Sequence, residues 1–311
     1  MARVLITGAG GYVGSGLVRT LQEDGWDVIA LGRQQVPYLD VEQVVADLDQ
    51  DSDAARRACA GVDAVVHLAG ENEVVAARSP AAALAATVLA TERLVEALGQ
   101  AEVPRLVYMS TVHVYGARMV SGATLTEDMR PEPRAPYAIA RLASEHLVSA
   151  LDIETVTLRL TNSLGAPAHP DVDRWTLVTN DLSRQGVTQG ALTLRSAGMQ
   201  WRDFVPLADV RRVVAAACGR EAIPPGTYNL GSGRPKTIRN IAELVQDAFE
   251  RHTGTRPELH APAPEGDAPA PYDVSVDRLA DLGLSGQSSV EEAVDETVRF
   301  CIEHKEALNH G

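Results

Sequence analysis

The sequence predicts an α/β protein in which a doubly wound parallel sheet is covered by helices and followed by a smaller C-terminal lobe. Short apolar runs typical of buried strands alternate with amphipathic, helix-like stretches through the first half of the chain. A glycine-rich turn joins the first strand to the first helix. Past Asn162 the alternation breaks into loops rich in glycine, proline and histidine, so a second lobe is expected there.

The strands and helices follow from local patterns. The apolar run Val4-Leu5-Ile6-Thr7 predicts the first strand, and the amphipathic stretch from Ser15 to Asp24 predicts the first helix. Similar apolar runs predict strands at residues 27–31, 44–46, 64–68, 106–109, 155–160 and 227–230. Apolar residues at helical spacing predict helices over residues 81–98, 137–151 and 238–252.

These elements divide the chain into two lobes. We expect residues 1–165 to form the sheet domain, with residues 203–232 returning to it. Residues 166–202 and 233–311 then form the smaller lobe, in which five prolines between Pro257 and Pro271 predict a loop. The 311 residues, 45% of them hydrophobic, are enough for such a two-lobed protein.

Composition limits the possible functions. A formal net charge of −14 without a basic stripe argues against a nucleic-acid partner. No apolar run approaches the length of a membrane span, and the first residues form a strand rather than a signal peptide, so we expect a soluble cytoplasmic protein. The scattered Cys59, Cys218 and Cys301 predict neither a disulfide framework nor a metal site.

The glycine-rich turn is the clearest sign of a ligand. Gly8, Gly11 and Gly14 stand at the spacing G-x-x-G-x-x-G, directly after the first strand. A residue without a Cβ lets the backbone approach a pyrophosphate closely, and the helix that follows offers free N–H groups and a partial positive charge. Because a strand precedes and a helix follows, we interpret this turn as a dinucleotide site that also includes Tyr12 and Val13; an ordinary strand–helix turn is the alternative.

A series of further motifs runs along nearly the whole chain. They are T-G-A-G-G-Y-V-G at 7–14, H-L-A-G at 67–70, S-T-V-H-V-Y-G at 110–116, Y-A-I-A-R at 137–141, R-L-T-N at 159–162, R-D-F-V at 202–205, D-V at 209–210 and Y-N-L-G at 228–231. Their order and spacing resemble the extended short-chain dehydrogenase/reductases, in the branch of nucleotide-sugar epimerases and dehydratases. The resemblance implies a Rossmann domain that binds NAD(P), a substrate-binding C-terminal lobe, and chemistry on a nucleotide-linked or related sugar.

The resemblance also assigns the catalytic residues. It implies that Tyr137 is the acid/base and that Thr111 hydrogen-bonds the same substrate oxygen. A tyrosine with an ordinary pKa near 10 needs a neighbouring cation to act near neutral pH. Relatives carry a lysine where this chain has Arg141, four residues after Tyr137 and thus on the same helical face. Arginine keeps the charge but cannot join a proton relay, so full activity, altered activity and a catalytically degenerate NADP sensor all stay open.

The preferred coenzyme is predicted from the end of the second strand. The run Leu31-Gly32-Arg33-Gln34 has no carboxylate to accept a hydrogen bond from the 2′-hydroxyl of NAD, whereas Arg33 can pair with the 2′-phosphate of NADP. We therefore favour NADP over NAD, with a solvated Arg33 as the alternative. The resemblance adds further coenzyme contacts: Asp47, Leu48, Leu68, Ala69 and Gly70.

The residues after Thr111 narrow the reaction. Relatives that catalyse 4,6-dehydration carry an Asp-Glu pair there, whereas this chain has Val112 and His113. Valine cannot move a proton, so we expect 4,6-dehydration to be absent, while His113 is either a second acid/base or a polar neighbour. We predict hydride transfer to or from a carbinol or keto carbon, as in a ketoreductase. An epimerase with tightly bound NAD is the alternative.

Substrate contacts are predicted at His113, Asn162, Trp175 and Arg202, beside Thr111. Asn162 and Arg202 match positions that hold the nucleotide diphosphate in relatives, and Trp175 either stacks on a ring or belongs to the core. Two motifs depart from the family: P-E-G-D at 264–267 replaces R-x-G-D, and T-V-L-A-T at 87–91 replaces N-V-x-G-T. The ligand is therefore not an ordinary nucleotide sugar, or it is held differently. The resemblance also implies a homodimer paired through the helices at 81–98 and 137–151.

Overall fold

The computed structural model describes residues 1–48, 50–219, 221–264 and 269–308, and over these residues a seven-stranded sheet lies between two layers of helices. The strands are β1 (Arg3–Thr7), β2 (Asp27–Gly32), β3 (Glu42–Val45), β4 (Ala64–His67), β5 (Arg105–Thr111), β6 (Thr124–Leu125), β7 (Glu154–Leu160), β8 (Asn162–Leu164), β9 (Ala191–Thr193), β10 (Trp201–Pro206), β11 (Gly226–Leu230), β12 (Pro235–Thr237), β13 (Glu258–His260) and β14 (Asp273–Val274). The helices are α1 (Gly14–Glu23), α2 (Ser52–Cys59), α3 (Glu73–Arg78), α4 (Pro80–Gln100), α5 (Pro136–Ser149), α6 (Val178–Gln189), α7 (Leu207–Cys218), α8 (Ile238–Thr253), α9 (Asp277–Ala280), α10 (Val290–Glu303) and α11 (Lys305–Leu308), with a 3-10 helix over Val112–Arg118.

The main sheet has the order β11-β7-β5-β4-β1-β2-β3, and every neighbouring pair is parallel. From β1 the chain winds outward through β2 and β3, and then returns to β4 on the other side of β1. The predicted doubly wound parallel sheet is confirmed. In such a sheet ligands bind outside the carboxyl ends of the strands where the winding reverses, here between β1 and β4.

The apolar strands are explained by burial on both faces of the sheet. Val4 and Ile6 of β1 join a core cluster with α1 and α7, while Leu5 between them joins a second cluster with α2 and α4. Successive side chains of a strand point to opposite faces, so both sets must be apolar when helices cover both faces. The first half of the chain therefore shows continuous apolar runs rather than alternating ones.

The smaller lobe is built on a third apolar cluster. Helices α6, α8 and α10 pack around it, with side chains such as Leu182, Val245 and Val294 fully buried. Between β10 and β12 the chain returns to the main sheet, since α7 packs on that sheet and β11 forms its edge beside β7. Strand β10 pairs with β8 and β12 and connects the two lobes.

Three segments differ from their prediction. The third strand spans Glu42–Val45 rather than 44–46, because this edge strand pairs with β2 through half-exposed polar residues. The fifth strand extends from Arg105 to Thr111, beyond its apolar centre. The predicted proline-rich loop contains β13, which pairs with β9, while residues 265–268, which include the last three residues of the P-E-G-D motif, lie outside the described residues.

The described residues contain neither a membrane-spanning helix nor a metal-binding cluster. No helix there is long and apolar enough to cross a membrane. No group of three or more histidine, cysteine, aspartate or glutamate side chains there is arranged to hold a metal ion. Cys59, Cys218 and Cys301 are each buried and carry free thiols.

A buried histidine ties the centre of the sheet to α4. The His67 Nδ1 atom lies 2.7 Å from Thr7 Oγ1, and its Nε2 lies 3.0 Å from Thr91 Oγ1. Thr7 Oγ1 also accepts a hydrogen bond from Ala69 N, and Thr91 Oγ1 donates to Thr87 O. The neutral Nε2–H tautomer satisfies all these contacts. Burial, together with the Arg141 cation, lowers the pKa of His67 from its ordinary 6.5 to about 3.

His67 makes stability depend on pH in a defined window. The unfolded chain binds a proton at this histidine below pH 6.5, whereas the folded protein excludes it until about pH 3. We therefore expect the free energy of unfolding to fall as the pH drops from 6.5 towards 3, by at most about 1.4 kcal/mol per pH unit from this group. His67→Gln is expected to remove that part of the slope in urea unfolding measured between pH 7.5 and 4.5.

The exposed His260 offers the matched control, because His260→Gln changes a histidine outside the core. Its slope is expected to equal that of the unmodified protein. If His67→Gln also left the slope unchanged, the exclusion of a proton from the folded His67 ring would be disproved.

Candidate active site

A cleft of about 600 Å³ opens at the carboxyl ends of β1, β4 and β5, between the two lobes. The glycine turn forms one wall, and residues of β8, β10 and the segment before α6 form the opposite wall. This is the position expected from the reversal of winding at β1 and β4. Of the predicted site residues, the ones that line the cleft are Gly8, Gly11, Tyr12, Val13, Gly14, Arg33, Leu68, Gly70, Thr111, His113, Tyr137, Arg141, Asn162 and Arg202.

The glycine turn has no room for side chains. Gly8 has a φ of +73°, and a Cβ on Gly14 would lie 2.4 Å from Gly8 O. A Cβ on Gly11 would lie 3.2 Å from the same oxygen. The turn therefore presents bare backbone and the N-terminus of α1 to the cleft, as a bound dinucleotide diphosphate requires. The residues present fit an NAD(P) coenzyme.

Tyr12 fixes this turn to the smaller lobe. Its phenol is buried and donates a 2.6 Å hydrogen bond to Gly165 O. Burial raises the pKa of the Tyr12 phenol well above its usual range. Tyr12 thus acts as a neutral donor that holds the loop after β8 against the glycine turn.

Thr111 is poised to donate a hydrogen bond into the cleft. It ends β5 and caps the 3-10 helix, because its Oγ1 accepts a 3.3 Å hydrogen bond from His113 N. A hydroxyl that accepts from the backbone keeps its own hydrogen for another acceptor. Tyr137 lies in the first turn of α5, directly after Pro136, and its half-buried phenol lines the same cleft.

Arg141 is a buried cation without a carboxylate partner among the described residues. Its Nη1 donates to Ala69 O at 3.3 Å and Met109 O at 3.2 Å, while its Nε has no hydrogen-bond partner within the described part. Its Cζ lies 5.6 Å from the centre of the Tyr137 ring. Burial lowers the pKa of Arg141, but Tyr108 and Tyr137 outweigh burial and raise it overall. The positive charge beside Tyr137 is therefore permanent.

A buried ion pair lies beneath the candidate catalytic residues and supports them. Glu145 of α5 accepts from Arg159 Nε at 3.1 Å and from Arg159 Nη2 at 2.8 Å, and Ser110 Oγ donates to the same carboxylate. Arg159 also reaches Tyr115 OH, which donates to Asn229 Oδ1 at 2.7 Å. The network joins β5, α5, β7 and β11, so it sets the position of the strand end that carries Thr111 relative to the helix that carries Tyr137.

A histidine and an arginine also line the cleft, His113 from the 3-10 helix after β5 and Arg202 from β10. Burial, and then the charge of Arg202, lower the pKa of His113, so this imidazole is neutral near pH 7. Arg202 Nη1 donates to Trp201 O at 2.7 Å, and no carboxylate of the described residues lies within ion-pair distance of it. Asn162 Nδ2 donates to Asp203 O, which holds its amide on β10. The wall formed by β8 and β10 suits an anion.

The structure puts four predicted residues outside the lining of the cleft. Leu48, predicted to contact adenine, is buried in the core cluster under α2 and α4, and Asp47 beside it is exposed. Ala69 contributes its carbonyl oxygen to Arg141. Trp175, predicted as a substrate contact, packs against the core of the smaller lobe. The apolar surface of the tryptophan ring explains that position.

Several residues of the cleft escaped prediction. Glu71, Asn72 and Glu73 follow β4, and Glu71 Oε1 lies 3.4 Å from Arg33 Nη1. Arg174 of the smaller lobe donates to Glu73 Oε2 at 2.7 Å across the cleft. The signal was the polar run E-N-E at 71–73, separated by three residues from the end of an apolar strand, because strand ends at the carboxyl edge hold ligands.

Comparison with known proteins identifies related sequences and structures. The model described as the NAD dependent epimerase/dehydratase family matches residues 4–231. The dTDP-6-deoxy-L-talose 4-dehydrogenase (NAD(P)(+)) of Kitasatospora kifunensis is 32% identical, over 95% of this chain and 94% of that protein. The dTDP-glucose 4,6-dehydratase of Streptomyces niveus is 28% identical, over 82% of each protein. The solved structure of MoeE5 in complex with UDP-glucose and NAD is 26% identical, with a TM-score of 0.82 over 98% of this chain and 100% of that one.

Similarity to a 4,6-dehydratase bears on the expectation about 4,6-dehydration. The sequence predicted that 4,6-dehydration is absent, because Val112 and His113 replace an acid pair. The relationship to the Streptomyces niveus enzyme does not support that exclusion. Only the two residues remain in its favour, and of these Val112 packs in a buried apolar cluster while His113 lines the cleft.

Breaking the buried ion pair between Glu145 and Arg159 is expected to lower the free energy of unfolding strongly. Glu145→Ala leaves the buried Arg159 without its carboxylate, and we expect the free energy of unfolding to fall by about 3 kcal/mol. Glu243→Ala is the matched control, because this helical glutamate pairs with Arg239 at 3.7 Å on the surface. We expect the control to change stability by less than about 0.5 kcal/mol. Urea unfolding measures both, and equal effects would contradict the supporting role of the buried pair.

Proposed function

Because the chain belongs to the NAD-dependent epimerase/dehydratase family, we propose that it is an NAD(P)-dependent oxidoreductase acting on a carbinol or keto carbon of a nucleotide-linked sugar. The observation that supports the proposal most is that Thr111, Tyr137 and Arg141 line the same cleft as the glycine turn. The name of the Kitasatospora kifunensis relative, a 4-dehydrogenase of a dTDP-linked 6-deoxy sugar, supports this reaction class.

The chain's residues divide the work at the reacting carbon. When bound, the nicotinamide coenzyme accepts or supplies the hydride. Tyr137 exchanges the proton of the substrate hydroxyl, and Thr111 donates a hydrogen bond to the same oxygen. Arg141 stabilises the phenolate of Tyr137 through its permanent charge. Since a guanidinium does not release a proton, the proton that Tyr137 takes up leaves by another path.

Substrate binding is proposed for the opposite wall. Arg202 offers its guanidinium to the diphosphate, because it has no carboxylate partner among the described residues, and Asn162 lies beside it on β8. His113 then faces the sugar as a neutral imidazole. Since Val112 cannot move a proton and is buried, we keep simple oxidation or reduction ahead of 4,6-dehydration in this proposal.

An epimerase is the second candidate. It is supported by the family to which the chain belongs, whose description names epimerases. An epimerase returns the hydride to the same sugar and so retains its coenzyme through purification. A reductase instead consumes NAD(P)H in proportion to substrate. The absorbance spectrum of the purified protein, with and without dTDP-6-deoxy-L-talose, distinguishes the two candidates. Tight coenzyme binding without turnover of any nucleotide sugar would favour the degenerate sensor.

Coenzyme choice is proposed to depend on Arg33 and Glu71. Arg33 is exposed at 69% of its side chain and pairs with Glu71 only at 3.4 Å, so the pair is weak. A 2′-phosphate of NADP replaces Glu71 as the partner of Arg33, and we therefore keep NADP as the preferred coenzyme. Glu71 opposes that preference by its own charge.

A homodimer is also part of the proposal. Helices α4 and α5 lie side by side on one face of the sheet, and each exposes a large apolar side chain, Leu89 at 45% and Ile139 at 42%. A second copy packing on these helices would cover both residues.

Removal of the Tyr137 hydroxyl tests the catalytic assignment. We expect Tyr137→Phe to lower kcat by about 10²- to 10⁴-fold, because the proton transfer is lost, while NAD(P)H affinity stays within about threefold. Tyr228→Phe is the control, since its phenol bonds Pro224 O at the opposite end of the sheet. Oxidation of dTDP-6-deoxy-L-talose, followed by NAD(P)H absorbance, provides the rate. Undiminished turnover in Tyr137→Phe would refute the assignment.

Charge changes at the end of β2 test the coenzyme proposal. Arg33→Ala is expected to weaken NADP binding by about tenfold and to leave NAD binding nearly unchanged. Glu71→Gln is expected to strengthen NADP binding by removing a negative charge from the same place. Arg56→Ala, which removes an exposed arginine outside the cleft, is the control. Calorimetric titration with NADP, NAD and adenosine 2′,5′-bisphosphate measures these affinities, and an equal loss for NAD and NADP would rule out recognition of the 2′-phosphate by Arg33.

A further inference from the structure

A side chain at Gly70 would need the space that the Arg141 guanidinium fills. Gly70 follows β4 at the rim of the cleft, with a φ of +143°. A Cβ on Gly70 would lie 2.9 Å from Nη2, 3.0 Å from Cζ and 3.2 Å from Nη1 of Arg141. These three atoms belong to the planar guanidinium, so rotation of one terminal atom cannot relieve the contact. A side chain at residue 70 therefore requires the whole guanidinium to shift by a few tenths of an ångström.

The guanidinium is fixed on its other sides as well. It is 6% exposed and donates to two carbonyl oxygens, Ala69 O and Met109 O, at the ends of neighbouring strands β4 and β5. Tyr137 covers a further side, with its ring centre 5.6 Å from Cζ. A Cβ at residue 70 would displace the cation from these carbonyls, and the open direction is the cleft. Such a shift changes the distance between the charge and the Tyr137 phenol.

We propose that Gly70 and Arg141 form a matched pair, in which Gly70 is a positioning residue whose missing side chain lets an arginine supply the fixed charge beside Tyr137. The consequence for Tyr137 rests on the proposed function, whereas the steric coupling between residues 70 and 141 does not. This gives Gly70 a role different from the direct coenzyme contact expected from the sequence. It also favours a competent enzyme over a degenerate one, because the site is shaped around the arginine.

Two other roles for Gly70 predict different behaviour. If Gly70 is needed because of its backbone conformation, Gly70→Ala is harmful whichever residue stands at 141. The same holds if a Cβ would block the coenzyme directly. In the matched pair, the harm caused by contact with the guanidinium disappears once that group is replaced by a slimmer one, and only the backbone strain remains. A double-mutant cycle separates these cases, because backbone strain cancels between the two backgrounds.

The cycle uses the full chain with Gly70→Ala, Arg141→Lys and both together. We expect Gly70→Ala alone to lower the urea midpoint without coenzyme and to weaken NAD(P)H binding by about tenfold. In the Arg141→Lys background the same change is expected to cost less than about twofold in binding. Gly226→Ala is the matched control: its φ is +154°, and a Cβ there meets only ordinary contacts of 3.6 Å or more. Its effect is expected to be equal in both backgrounds.

The pH profile of kcat separates the effect of the displaced Arg141 charge from the effect of steric contact at residue 70. With Gly70→Ala the displaced cation is expected to raise the apparent pKa of the catalytic group, and adding Arg141→Lys is expected to restore it. Arg141→Met keeps an unbranched side chain without charge, so Gly70→Ala is expected to be tolerated in that background too, but with kcat reduced about 10²-fold or more.

The double-mutant cycle has outcomes that overturn the matched pair and outcomes that support it. Equal effects of Gly70→Ala in the unmodified chain and in the Arg141→Lys and Arg141→Met backgrounds would overturn the matched pair, as would a Gly70→Ala protein that behaves like the original. A Gly70→Ala chain that folds only when Arg141 is also replaced would support it. Failure of the unmodified chain to bind NAD or NADP would refute the proposed function, while the urea midpoints would still test the coupling of the two residues.

Discussion

The geometry of the site depends on the buried ion pair between Glu145 and Arg159. Each side chain is below a tenth exposed, and the pair is surrounded by hydrogen bonds from Ser110 and to Tyr115. A pair removed from water is stable only with such complete partners, and it tolerates no change of distance between its elements. Because one partner lies on α5 and the other on β7, the pair fixes the helix that carries Tyr137 and Arg141 against the sheet that carries Thr111. The residues proposed to be catalytic take their relative positions from this contact.

Arginines that line the cleft explain how an acidic protein can bind an anion. The chain has a net charge of −14, yet four arginines, 33, 141, 174 and 202, line the cleft. Two of them are neutralised, by Glu71 and Glu73. The other two have no carboxylate partner among the described residues. Local cations of this kind act over short distances, since salt screens the overall charge beyond about 10 Å.

The sequence was sufficient for the sheet and for much of the cleft, because both depend on local patterns. Apolar runs follow from burial on two faces, and the glycine turn follows from a spacing within one strand–helix unit. Prediction was poorer at the edge strand β3, where polar residues pair beside solvent. It left two roles open for Trp175, because a large aromatic ring fits a core and a binding site equally well, and the ring packs against the core of the smaller lobe. Contacts between distant residues, such as Arg174 with Glu73 or Gly70 with Arg141, are absent from any local pattern.

The missing side chain at residue 70 also constrains the order in which this site can arise. The H-L-A-G run at 67–70 resembles the family's H-L-A-A, so the motifs that the chain resembles carry alanine and lysine at the two positions. An arginine introduced beside that alanine meets a Cβ at about the separation at which atoms overlap, 2.9 to 3.2 Å. A glycine introduced beside the lysine only leaves space. Single substitutions therefore lead from one pair to the other at lower cost when the glycine comes first. Once the arginine has followed, a return to alanine is disfavoured by contact with the guanidinium.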